Sequence, residues 1–140
     1  MTFLLITTAA GSHISYKDCG SKSGRPIFVD LDPCPTERPC VLHVNTQVQL
    51  AVRFFSSTQT DQVTTVITGY LAGVDVPLPI SDPNSCDHGV NCPVSSGQVN
   101  TYNESIYVDP GFPLVEMTMR VELKDDGTDD LACVEYPIKI

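Results

Sequence analysis

Val115-Glu116-Met117-Thr118-Met119-Arg120-Val121-Glu122-Leu123 is the stretch on which the fold class turns. Val115, Met117, Met119, Val121 and Leu123 fall on one face, and Glu116, Thr118, Arg120 and Glu122 on the other. A period of two with one apolar face is a β-strand that covers a core on one side only. Upstream, Val48, Leu50, Val52 and Phe54 alternate with Gln47, Gln49, Ala51 and Arg53. Ile27, Val29 and Leu31 alternate with Phe28, Asp30 and Asp32. The segment Val63–Leu71 is rich in Val, Thr and Ile, and Tyr102–Val108 and Cys133–Ile140 are weaker strand candidates. Val74–Ile80 alternates too but carries Pro77 and Pro79, which fits an edge strand or an extended loop because proline donates nothing to a ladder.

Turn residues separate these runs: Ser81-Asp82-Pro83-Asn84, Asp109-Pro110-Gly111 and Asp125-Asp126-Gly127. Beyond a turn or two, no segment keeps a helical period. About seven strands at this spacing predict an all-β domain, an immunoglobulin-like antiparallel β-sandwich, with a closed barrel as the alternative. At 140 residues a single domain is expected.

The six cysteines narrow the cellular setting. An even number in a short chain reads as a disulfide framework and an oxidising compartment. Fifteen pairings exist. Spacing favours Cys34–Cys40 and Cys86–Cys92, each closing a short loop, and leaves Cys19 with Cys133. Metal binding is the rival, since Cys86, His88 and Cys92 are soft ligands, but no second Cys/His pair has zinc-site spacing. Met1–Gly11 ends in Phe3–Ile6 and Ala9-Ala10-Gly11, which resembles the end of a secretory signal peptide. The domain is therefore expected over 12–140, and the protein is expected to be secreted or lumenal.

A net charge of −9 opposes nucleic-acid backbones and broad adhesion to anionic membranes. His13, His43 and His88 sit in no catalytic motif, with His43 on a candidate strand, and no glycine-rich phosphate loop occurs. Asp125, Asp126, Asp129 and Asp130 read as a solvated hairpin tip, with weak calcium binding as the alternative. Asn103-Glu104-Ser105 is an N-glycosylation sequon. These residues point away from an enzyme and imply no cofactor and no metal.

Several strings, taken in order, carry a family resemblance. They are Tyr16-Lys17-Asp18-Cys19-Gly20-Ser21, Asp32-Pro33-Cys34-Pro35-Thr36 with Pro39-Cys40, Leu71-Ala72-Gly73-Val74-Asp75-Val76-Pro77-Leu78-Pro79-Ile80, Gly89-Val90-Asn91-Cys92-Pro93, Glu122-Leu123-Lys124-Asp125-Asp126, and Cys133 through Pro137. In this order, with all six cysteines in place, the chain resembles the ML (lipid-recognition) domain family. The resemblance implies a sandwich whose sheets splay to hold one lipid between them, and the pairings 19–133, 34–40 and 86–92. It implies a carrier of sterol, or alternatively of fatty acids or small hydrophobic signals, or a lipid-recognition module of innate immunity. It places Leu78, Val108 and Phe112 at the cavity mouth. It makes Tyr70, Leu71, Gly73 and Val74 an apolar knob for docking on a membrane or a partner. It further implies a monomer that hands sterol to a membrane-embedded sterol transporter, in the extracellular space or the lysosomal lumen.

Overall fold

The alternation centred on Met119 becomes the middle of a sheet. A computed structural model describes residues 13–35, 38–78 and 80–140. In chain order its strands are β1 (His13–Ile14), β2 (Lys17–Asp18), β3 (Gly24–Asp32), β4 (Cys40–Val41), β5 (Gln47–Ser56), β6 (Thr64–Leu71), β7 (Val74–Pro77), β8 (Val99–Tyr107), β9 (Glu116–Lys124) and β10 (Asp130–Lys139). Among the described residues the one helical element is a single 3-10 turn at Ser85–Asp87. Seven of the strands are longer than two residues, as the turn spacing predicts. One sheet runs β1-β3-β5-β8, the other β2-β10-β9-β6-β7, with β4 added in parallel beside β10. The two sheets form a β-sandwich. The segment Met1–Gly11 lies outside the described residues.

The core sits where the apolar faces meet. Val48, Leu50, Val52 and Phe54 of β5 face Met117, Met119, Val121 and Leu123 of β9, all buried. The proline-bearing β7 is an edge strand paired only with β6. The β6–β7 turn is Ala72-Gly73, both at positive φ (51° and 79°), the geometry that suits a two-residue hairpin and that Gly73 adopts without strain.

At Ile27 and His43 the structure differs from the sequence expectation. Ile27, expected inward with Val29 and Leu31, is 40 % exposed. The register of β3 on β5 slips between Pro26 and Phe28, so Ile27 is an extra bulge residue and the inward face is reset beyond it. His43, expected on a strand, lies between β4 and β5 and is exposed.

Three disulfides join Cys19–Cys133, Cys34–Cys40 and Cys86–Cys92. The first ties the N-terminal segment to β10, and Cys19 N–H also donates to Cys133 O at 3.0 Å. The second ends on β4, and the third closes the loop after the 3-10 turn.

Candidate functional site: a cavity between the sheets

One half of the sandwich is filled and the other is not. On β9, Val121 and Leu123 pack solidly, while Met117 and Met119 line a cavity of about 540 Å³. The same division runs along each inward face. Ile67 of β6, Ile106 of β8 and Ile138 of β10 line the void, whereas Thr65, Tyr102 and Val134 lie in the packed half. The volume falls within the roughly 300–1,000 Å³ usual for small-molecule sites. Exposed Tyr107, Asp109 and Pro113 at the rim carry the cavity to the surface.

Gly69 helps keep the space open. It is buried in β6, and a Cβ there would come 2.9 Å from Met117 Sδ and 3.9 Å from Leu78 Cδ1. A glycine within a β-branched run marks such a close approach, and that was the available signal for it.

The structure brings Leu78, Val108 and Phe112 together on the cavity wall. Leu78 follows β7, and its N–H donates to Ile67 O at 3.1 Å. Val108 is 1 % exposed and pinned on both sides: its N–H donates to Thr46 O at 2.9 Å and its carbonyl accepts from Asn45 N–H at 2.8 Å. Phe112 is set by a turn in which its N–H donates to Asp109 O at 2.9 Å. The Asp109 carboxyl accepts from Gly111 N–H at 2.7 Å.

The four hairpin residues divide. Val74 is 61 % exposed and Gly73 is exposed, at the tip. Leu71 packs against the core, and Tyr70 is half-buried with the Arg120 guanidinium 4.5 Å from its ring centroid. Arg120 is held in turn by Glu135, Nη2 to Oε2 at 2.6 Å. Asn103 is exposed on β8, an edge strand.

Sequence reasoning passed over Glu104, treating it only as the middle of the sequon. Inward positions on β8 are Asn100, Tyr102, Glu104 and Ile106, and Glu104 is 7 % exposed on the cavity wall. The strand's alternation could have placed it there. Tyr102 Oη donates to Glu104 Oε1 at 2.8 Å. Burial holds the Tyr102 phenol far above its usual pKa, so it stays a donor; the Glu104 and Tyr136 oxygens push the same way. His88 Nδ1 lies 3.7 Å from Glu104 Oε1, and its Nε2 3.4 Å from Asp82 Oδ2.

The acidic residues near 125–130 do not converge on one point. Asp125 accepts from Gly127 and Asp129 N–H, Asp126 from Asp61 N–H, and Asp130 from Lys124 Nζ at 3.1 Å. Asp130 lies close to Glu122 and Cys133, but that sulfur is in a disulfide and Lys124 Nζ contacts both carboxyls.

A two-sheet sandwich, bridged by disulfides and hollow at one end with an apolar lining, defines a container for a hydrophobic guest. The family model described as ML domain matches residues 13–140, and the chain belongs to that family. It is 36 % identical to the mouse NPC intracellular cholesterol transporter 2, covering 99 % of this chain and 95 % of the mouse protein. It is 33 % identical to the zebrafish protein of that name, over 100 % of this chain and 92 % of the other. The crystal structure of a Niemann-Pick type C2 protein from the Japanese carpenter ant superposes with a TM-score of 0.85. It is 26 % identical and covers 91 % of this chain and 99 % of the ant chain.

Proposed function

We propose that this protein binds one sterol between its sheets and transfers it through an extracellular or lumenal fluid. The observation that carries the reading is the cavity: about 540 Å³, walled by Ile, Leu, Val, Met and Phe side chains, in a chain related to cholesterol transporters. Among the described residues its lining includes no Lys, Arg or His to fix an anionic head group, which favours a neutral lipid over a fatty acid. Burying roughly 300 Å² of guest surface at ~25 cal/mol per Å² supplies about 7 kcal/mol before the cost of association.

In this reading Leu78, Val108 and Phe112 touch the guest, and the hairpin tip at Gly73 and Val74 meets the membrane or protein that receives it, with Tyr70 and Leu71 as its base. The protein works as a monomer and delivers to a membrane-embedded sterol transporter. Asn103 carries a glycan on the outer edge of the sandwich. Three disulfides suit a secreted or lysosomal setting. Native mass spectrometry of the purified protein is expected to show one sterol mass per chain. Added protein is expected to speed movement of a labelled sterol between vesicles. A chain that purifies empty and takes up no sterol from vesicles would overturn the proposal.

A further inference from the structure

Among the described residues Glu104, entering from β8, is the one buried polar residue of the cavity wall; the other polar lining residues, Ser81, Ser105, Tyr107 and Asp109, are exposed. Its carboxyl makes one short hydrogen bond, from Tyr102 Oη, while the His88 contact at 3.7 Å is too long to be one. A carboxylate offers about four acceptor sites, so capacity remains on a group that faces the void. The opposite sheet carries a second buried polar group close to the wall. Tyr136 pairs directly with Met119 across β10 and β9, and it shares a face with Ile138; Met119 and Ile138 are both cavity wall. Tyr136 is 2 % exposed, and its Oη has no hydrogen-bond partner among the described residues. Buried hydroxyls are seldom left unmade, because the lost water contacts are not replaced. Of these two groups only Glu104 lines the void; Tyr136 lies behind it, paired with the wall residue Met119.

We propose that Glu104 is a specificity-determining residue: its carboxyl accepts a hydrogen bond from a hydroxyl on the inserted end of a neutral lipid and turns carboxylate lipids away. The inference deepens the sterol-carrier reading and rests on it. A hydroxyl supplies a second donor to the Glu104 carboxyl, beside Tyr102 Oη–H. A fatty-acid carboxylate in the same place would bring an acceptor against Glu104, with no cation among the described lining residues to offset it.

The test is equilibrium binding of the full chain to four probes: cholesterol, 25-hydroxycholesterol, 5α-cholestane and oleate. 25-Hydroxycholesterol bears a hydroxyl at each end, so either orientation presents one, whereas cholestane bears none. For the wild type, the tighter of the two hydroxylated sterols is expected to exceed cholestane by about tenfold or more, the worth of one hydrogen bond to a charged group. Glu104→Leu is expected to cut that preference below about threefold. Glu104→Gln, which keeps a carbonyl acceptor and adds an N–H donor, is expected to retain most of the preference and to raise oleate binding severalfold. Should Glu104→Leu lose its melting transition, the oleate arm of Glu104→Gln decides, and no gain there overturns the inference. A full sterol preference in a folded Glu104→Leu variant also overturns it, leaving the carrier reading intact. Failure of the wild type to bind any of the three sterols removes both.

Discussion

Val108→Phe separates a cavity from a core. Val108 is 1 % exposed, and hydrogen bonds to residues 45 and 46 on both sides fix its backbone. A larger side chain there therefore grows inward rather than shifting the backbone. In a close-packed interior this substitution would overpack and cost about 1–3 kcal/mol of stability. Beside a 540 Å³ void the added ring has room, and its burial is favourable at about 0.8 kcal/mol per carbon, less the rotamer entropy it loses. The empty variant is thus expected to be as stable as the wild type or up to about 2 kcal/mol more so. For a domain of this size that is a melting temperature unchanged or raised by up to roughly 8 °C.

Ligand affinity is expected to move the opposite way. Ring and guest compete for the same space, and the overpacking cost then falls on the complex. About 1–3 kcal/mol corresponds to a loss of roughly 5- to 150-fold in affinity. Urea melts of ligand-free protein give the first quantity, and titration with a fluorescent sterol gives the second. A variant that is destabilised by more than about 1 kcal/mol yet binds sterol like the wild type would refute the reasoning, because Val108 would then be ordinary core.

Three further outcomes follow from the fold. Removing Cys19–Cys133 (Cys19→Ser with Cys133→Ser) is expected to cost about 4–5 kcal/mol in urea unfolding, and removing Cys34–Cys40 only about 2, since the first closes a loop of 114 residues and the second one of 6. Gly24→Ala is expected to cost about 3 kcal/mol or more, because a Cβ would lie 2.3 Å from Phe55 O and 2.7 Å from Leu131 O, neither of which can move aside; Gly69→Ala, whose one tight contact is the flexible end of Met117, is expected to stay within about 1 kcal/mol of wild type and to weaken sterol binding. Burial first, and then the Glu122 carboxyl, push the Asp130 carboxyl up to about 6, so the folded state holds the extra proton between about pH 4 and 6. This group's contribution to stability is therefore full below its unfolded value and is lost as pH rises through about 6, and chemical denaturation of Asp130→Asn across pH 4–7 should lack that component, whereas a curve parallel to wild type would contradict it.

How far the fold could be read from the residues depends on what each strand faces. β9 was legible because its inward side is apolar throughout, from Met117 to Leu123. β7 was legible as an edge because Pro77 can sit only where no ladder donor is needed. β8 was faint because its inward side includes Asn100 and Glu104, whose polarity breaks the hydropathy period. β10 was faint for a different reason: its register on β9 slips between Asp130 and Ala132, and Leu131 to Val134 are all buried in succession. The bulge at Ile27 leaves no mark in a periodic pattern. The cavity was not legible from periodicity at all, since alternation reports which face a residue is on and not how far apart two sheets stand. Leu78, Val108 and Phe112 came from the family resemblance, whereas Gly69 and Glu104 carried only local signals, a glycine in a β-branched run and an inward place in the β8 alternation, that say nothing of a cavity.

The hollow end also explains the bridges. A fully dry void of 540 Å³, charged at about 24 cal/mol per Å³, would forgo about 13 kcal/mol, as much as the whole stability of a typical domain. The actual penalty is smaller, because the rim opens to solvent and the wall has its own polar group in Glu104. A domain of 140 residues still has little stability in reserve, and close packing cannot supply it at the end that must stay open. Covalent links can, without filling the space. Cys19–Cys133 closes nearly the entire chain and lies on the β2–β10 edge, away from the residues that line the void. Constraint of the unfolded chain thus takes over part of the role that core packing plays elsewhere, and the interior is left free to exchange one guest for another.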